Sequence, residues 1–350
     1  VSLLLLCGAG DPLAVVATSP HLLWNGIAVI GARRFVEMPR VDDAPNPSLA
    51  ELHADGSLTP YPGGGWNGWK PGADATKAFV STNAVHEGPD GRLWVVDNGA
   101  VGFLGRMPVA GAQKIVVIDP ATNAVTRVYR LAGALAAKSA IDDIRFHGGN
   151  AYITDAGAPG LIVMDVASGT VRRVLDHDPS MTAMRPALVD GKILRGPDGK
   201  PASINADQLE VTPDGKYLYV QPLPGPMYRI PIALLDDPKL APAALSRQVE
   251  FWYNTPSLGG TAIDADGDLY LNDLSSDAVL KLTPDRHLSL VLHDARLHWA
   301  DAPAFDGHGN LLIPVPQFDR SPPFNHGRDL VQYPVALYAL HVGVNAAPHH

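Results

Sequence analysis

Polar residues stand immediately before apolar alternations at Asn25, at Asn83, at Asp143 with Asp142 beside it, at Asp207 followed by Gln208, at Thr261 after Gly260, and at Asp301. Brought together, three carboxylates (Asp143, Asp207, Asp301) and two amides (Asn25, Asn83) repel unless protons, a metal ion or a basic ligand balances them. The metal set expected from this pattern is Asn25, Asn83, Asp143, Asp207 and Asp301. A divalent cation of the oxygen-loving kind suits carboxylate, amide and water ligands, calcium ahead of magnesium, whereas zinc prefers His or Cys. Such an ion polarises a carbonyl oxygen while a carboxylate not fully committed to it, Asp207 or Asp301, activates water. The plainer alternative is a water-filled channel lined by the same groups and holding no ion.

Other side chains are expected around this ring. Trp24, Trp66, Trp69 and Trp299 stand next to ring residues or in the first long loop, where they wall an apolar or aromatic ligand or serve as core. Gln208 adjoins Asp207, and Asp97, Asp155 and Asp273 end strands that reach the same face, where they cap strands or orient the ring. His298, beside Trp299, and His326, in the last long loop, are the candidate general acids or bases, His298 being the catalytic choice. There is no Gly-x-Ser-x-Gly elbow, no His-Glu-x-x-His and no phosphate-cradling glycine loop, and the single cysteine, Cys7, is isolated. Covalent catalysis is therefore disfavoured.

What positions these residues is a repeat. Its cleanest copy is AIDADGDLYLND (262–273), an apolar alternation bent at Asp266-Gly267 as a tight hairpin requires. Related phrases occur at 84–97, 144–155, 209–221 and 303–315, with a looser copy at 27–38. Each is followed by a second hairpin, and no such unit buries both of its faces alone. The expected fold is all-β, a six-bladed β-propeller spanning residues 11–342 as one domain. Blades start at Gly26, Asn83, Asp143, Asp207, Gly260 and Asp301, and the segment 11–19 is expected to close the ring beside 335–342. The four long connections, 63–78, 98–113, 177–203 and 321–334, fall on one face, which is where the site is placed.

Composition narrows the function classes. The 350 residues carry a net charge of -9 and no basic stripe, which argues against nucleic acid. The 34 glycines and 32 prolines favour short strands and turns over long helices. The opening VSLLLLCGAG (1–10) reads either as the remnant of a secretory signal, which makes a periplasmic or secreted location the expectation, or as a packed first strand; it is too short to span a bilayer. Residues 343–350 read as a tail ending in a tag-like His349-His350. A closed ring has no unpaired edge, so no oligomer is required.

The runs RRFVEMPR (33–40), DGRLWVVDNG (90–99), AYITDAGAPGLIVMDVASG (151–169), LYVQPLPGPMYRIP (218–231) and LHWADAPAFDGHGNLLIP (297–314) together resemble the Yellow / major royal jelly protein family in its bacterial branch. The resemblance covers about residues 11–342 and implies a six-bladed propeller. It implies function less sharply, since the family includes dopachrome-converting enzymes, amine binders and nutritive secreted proteins. A more distant likeness is to the gluconolactonase / senescence marker protein family, whose channel-mouth divalent ion is held by Glu, Asn and Asp; Asn25 stands here where that glutamate is expected. Metal-assisted lactone hydrolysis of a small cyclic metabolite is the leading expectation. The alternatives are a tautomerase of dopachrome-like indoles and a non-catalytic binder of aromatic amines.

Overall fold

The computed structural model describes residues 11–42, 46–102 and 107–347. The leader-like stretch 1–10 with Cys7, and His349-His350, lie outside them.

After β1 (Leu13–Ser19), the strands fall into six four-stranded antiparallel sheets. Blade one is β2 (Gly26–Ile30), β3 (Arg33–Glu37), β4 (Leu49–Leu52) and β5 (Leu58–Pro60). Blade two is β6 (Thr82–Glu87), β7 (Leu93–Asp97), β8 (Lys114–Asp119) and β9 (Ala124–Arg130). Blade three is β10 (Ile141–His147), β11 (Asn150–Asp155), β12 (Gly160–Asp165) and β13 (Val171–Val174). A small hairpin, β14 (Leu188–Val189) with β15 (Lys192–Ile193), interrupts the connection to blade four. That blade is β16 (Ala206–Val211), β17 (Tyr217–Pro222), β18 (Met227–Pro231) and β19 (Glu250–Tyr253), with two helical turns between the last pair. Blade five is β20 (Leu258–Ile263), β21 (Leu269–Asp273), β22 (Ala278–Leu282) and β23 (Leu288–His293). Blade six joins β24 (Ala304–Phe305), β25 (Asn310–Val315) and β26 (Val335–His341) to β1.

The all-β propeller expected from the repeat is therefore present, with its six blades and its closure. β1 runs antiparallel to β26 from Leu13 opposite Leu340 to Ser19 opposite Val335, so chain start and chain end share one sheet. The hairpin turns follow the sequence chemistry: Gly267 has φ +86°, a region glycine enters without a Cβ clash, and the Asp264 carboxylate accepts the N–H groups of Asp266 and Asp268. Residues 343–347, expected to be tail, continue along blade five, where the Ala347 N–H bonds the Ile263 carbonyl at 3.1 Å.

Each sheet is too thin to bury its own apolar faces, and the core lies between blades. Trp94 of blade two packs edge-on against Phe146 of blade three at 4.9 Å and stacks on Tyr129 at 5.3 Å, within a cluster that also holds Ile115, Ile144, Ile153 and Ile162. Similar clusters fill the other seams. The packing leaves the innermost strands β2, β6, β10, β16, β20 and β24 around a central channel, with the starts of those strands at one end.

Candidate functional site

Four of the six inner strands begin with a β-bulge, and the bulges decide what faces the channel mouth. Pairing skips from Thr82 to Ala84, from Ile141 to Ile144, from Ala206 to Gln208 and from Leu258 to Gly260. An extra residue in one strand bends the backbone and re-aims its side chain. The residues re-aimed into the mouth are Asn83, Asp142, Asp207 and Gly259, joined by Asn25 and Asp301 from blades one and six. At Gly259 the approach of blade six leaves no room for a side chain, since a Cβ there would lie 2.1 Å from the Ala300 carbonyl oxygen.

These residues floor a cavity of about 730 Å³. Its walls include Trp299, Phe318 and Phe324 on one side, with Ile204 and Leu223, while Arg40, Lys138 and Lys200 stand around it. Trp299 meets the ring of Phe318 at 6.0 Å and that of Phe324 at 5.8 Å. Three of the four long connections line the cavity; the first, 63–78, does not.

A chain of polar contacts runs round the floor. The Asn25 amide donates to the Asn83 carbonyl at 2.9 Å, the Asn83 amide donates to Asp142 Oδ1, and a side-chain hydrogen bond joins Asp142 to Asp207. Asp301 is separately anchored: Oδ2 accepts from Trp299 Nε1 at 2.8 Å and Oδ1 from the Ala302 N–H at 2.9 Å. Burial, then the charge of Asp143, pushes Asp142 up to about 7. Asp207 is raised well above the usual carboxylate range by burial and by the nearby Asp142 and Asp301. Asp301 is raised chiefly by burial, and so is Glu37, which ends β3 behind Asn25. No salt bridge reaches Glu37, Asp142, Asp207 or Asp301 among the described residues.

Several expected residues lie elsewhere. Asp143 turns away from the mouth to Arg145 Nη1 at 2.7 Å, and Asp142 takes the mouth position. Thr261 lies deeper, donating to Glu210 at 3.0 Å. Gln208 donates to the Leu258 carbonyl at 2.6 Å and is buried between blades four and five. Trp24 is fully buried in core, Trp69 donates to the Ala73 carbonyl at 3.1 Å, and Trp66 packs on Phe79 at 5.1 Å; of the four tryptophans only Trp299 lines the cavity. His326 is exposed on the last long loop. His298 sits between Asp319, 2.9 Å from Nε2, and Asp277, 3.4 Å from Nδ1, and lines a separate surface pocket. Burial alone would lower its pKa, but the two carboxylates raise it to about 9, so His298 is an imidazolium cross-link.

Asp97, Asp155 and Asp273 share one structural task. Asp97 accepts the N–H groups of Val80, Ser81 and Gly99 and pairs with the wholly buried Lys114 at 2.5 Å. Asp155 takes the N–H of Ala140 at 2.8 Å and an ion pair from Arg173 at 2.7 Å, and Asp273 holds Ser275 and Ser276. At the ends of second strands they fasten the segments around the mouth rather than facing it.

Arg145, Glu210 and Glu37 were missed by reading the sequence, and Asp142 was named only as the neighbour of Asp143. Arg145 bonds Glu210 through Nε (2.9 Å) and Nη2 (2.8 Å) and also Asp143, a partition across the channel. Beyond it a second cavity of about 450 Å³ opens at the opposite end. Arginine in an inner strand of IRFHGG and glutamate in the aligned QLEVTP were the available signals.

The family model for the major royal jelly proteins matches residues 81–294. The chain belongs to the major royal jelly protein family. Comparison with curated proteins gives no match. Among solved structures this family member is similar to a gluconolactonase from Xanthomonas campestris, with TM-score 0.56 and 15% identity over 93% of this chain and 88% of that one. It is similar to regucalcin, a calcium-binding protein from Agrobacterium tumefaciens, with TM-score 0.53 and 15% identity over 95% and 94% of the two chains. A luciferin-regenerating enzyme gives TM-score 0.54 and 12% identity over 94% of each chain. At such identities the likeness is one of fold. No helix among the described residues is long and apolar enough to cross a membrane.

Proposed function

We propose that the channel mouth holds a divalent cation, calcium ahead of magnesium, on side-chain oxygens of Asn83, Asp142 and Asp207, and that it hydrolyses a lactone or similar small cyclic ester. The observation that carries this is the floor itself, with Asp142, Asp207 and Asp301 buried and no basic side chain paired with them. The donor set is entirely oxygen, which suits a hard cation. Among the described residues no three His, Cys, Asp or Glu side chains are clustered for a metal, so amides and water must complete the shell, as both ions allow. Gluconolactonase and calcium-binding regucalcin share the architecture, which makes lactones the first class to screen.

When bound, the cation would act as a Lewis acid towards the ester carbonyl. Asp207 is committed to Asp142, so Asp301 is the base. Trp299 Nε1 and the Ala302 N–H fix its carboxylate, which takes a proton from water as the water oxygen bonds the carbonyl carbon. The ring C–O bond breaks and Asp301 returns the proton to the alcohol released. Trp299, Phe318 and Phe324 hold the apolar part of the substrate and shield the carbonyl from bulk water.

Hydrolysis of a lactone panel, with and without chelator, tests this reading. Asp207→Asn is expected to lose ion and turnover together, and Asp301→Asn to keep the ion while kcat falls about 100-fold or more. Turnover unaffected by chelation would overturn the metal role. The aromatic wall beside Asp142 and Asp207 supports a second reading, an aromatic amine held directly by the carboxylates. Calorimetric amine binding by metal-free protein, abolished in Asp142→Asn, would select it.

A further inference from the structure

We propose that Glu37 is a positioning residue that fixes the amide half of the mouth, Asn25 and Asn83, from behind. Glu37 lies wholly buried at the end of β3, out of contact with the cavity. Its Oε2 accepts from Thr82 Oγ1 at 3.3 Å, and a side-chain hydrogen bond joins its carboxyl to Asn25. The Thr82 hydroxyl has one proton, and the contact to the Ser48 carbonyl at 2.5 Å is the shorter and better claim on it. Thr82 Oγ1 is thus held between the Ser48 carbonyl and Glu37 Oε2. Glu37 Oε1 lies against the blade-one backbone, where a Cβ on Gly26 would come within 3.2 Å of it.

The consequence reaches the floor by two routes. Thr82 immediately precedes Asn83, so a fixed Thr82 fixes the bulge that aims Asn83 at Asp142. Asn25 is tied to the same strand end, its backbone N–H bonding the Glu37 carbonyl at 3.0 Å and its amide bonding the Asn83 carbonyl at 2.9 Å. Removing Glu37 frees the Thr82 hydroxyl and opens a void behind Asn25, and both amides lose their single orientation. The other second-strand acids make a different device: Asp97 and Asp155 are ion-paired and bond backbone N–H groups, whereas Glu37 has neither.

The link from Glu37 to ion binding rests on the function proposed above, so the test has one arm that does not. Crystal structures of metal-free wild type, Glu37→Gln and Glu37→Leu are compared, with Thr82→Val as a fourth protein should the leucine variant not fold. Glutamine keeps a donor and an acceptor in the same volume and is expected to leave Asn25 and Asn83 in place. Leucine, or valine at 82, is expected to displace or disorder the Asn25 side chain and the Asn83 bulge. Unchanged Asn25 and Asn83 in the leucine and Thr82→Val proteins would overturn the proposal. In calcium titrations the leucine variant should bind about 10- to 100-fold more weakly and the glutamine variant like wild type. Equal loss in both would mean that the hydrogen bonds glutamine can keep do not position the amides, contrary to the inference. If wild type binds no calcium, the function proposed above fails and the crystallographic comparison still decides the role of Glu37.

Discussion

At the residue scale, the mouth places groups together that oppose folding. Asp142 and Asp207 are buried side by side with no cation beside them, an arrangement that stores instability where chemistry needs it. Asp142→Asn removes one of two buried carboxyl groups, and its metal-free melting temperature is expected to rise above that of wild type while ion binding is lost; calorimetry of both proteins checks this. His298 makes a second prediction. Its folded pKa, about 9, lies above its ordinary 6.5, so its contribution to stability is fully present below the ordinary value and is lost as pH rises through about 9. Urea melts across that range should show stability falling between about pH 7 and 9, and His298→Gln should flatten that slope.

The element scale explains what the sequence could and could not convey. Strand alternation and Asp-Gly turns announce each hairpin, because both are local, and the expected blade starts at Gly26, Asn83, Asp207 and Gly260 lie within or next to the observed inner strands. A bulge is where period-two reading fails, since one extra residue shifts every later side chain by one face. That is why Asp143 stood in for Asp142. Glu37 went unseen because the first copy of the repeat is the loosest, yet it occupies the strand-end place that Asp97, Asp155 and Asp273 hold in other blades. Trp24 and Trp69, read as ligand walls or core, are core, and sequence position beside a ring residue or in a long loop does not distinguish the two. The strand-end staples carry their own prediction: Lys114→Met leaves Asp97 buried without its counter-charge and is expected to cost about 3–5 kcal/mol by denaturant melting.

At the scale of the whole molecule, closure by β1 makes the ring one cooperative body whose channel is divided by Arg145, Asp143 and Glu210 into two unlike cavities. Removing residues 11–19 would strip β26 of its outer partner, leaving it paired only with β25, and expose a long apolar edge. Such a truncation is expected to aggregate or melt broadly, as size-exclusion chromatography and a thermal scan would show. The acidic mouth was legible as a class of site, because a repeat brings equivalent positions together. The membership of the ring was not, because it depends on bulges and on which neighbour claims each carboxylate. Elemental analysis of purified wild type, Asp142→Asn and Asp143→Asn tests the central claim most directly. The account predicts a stoichiometric divalent ion in wild type and Asp143→Asn and none in Asp142→Asn; an ion-free wild type whose melting is indifferent to added calcium would contradict it.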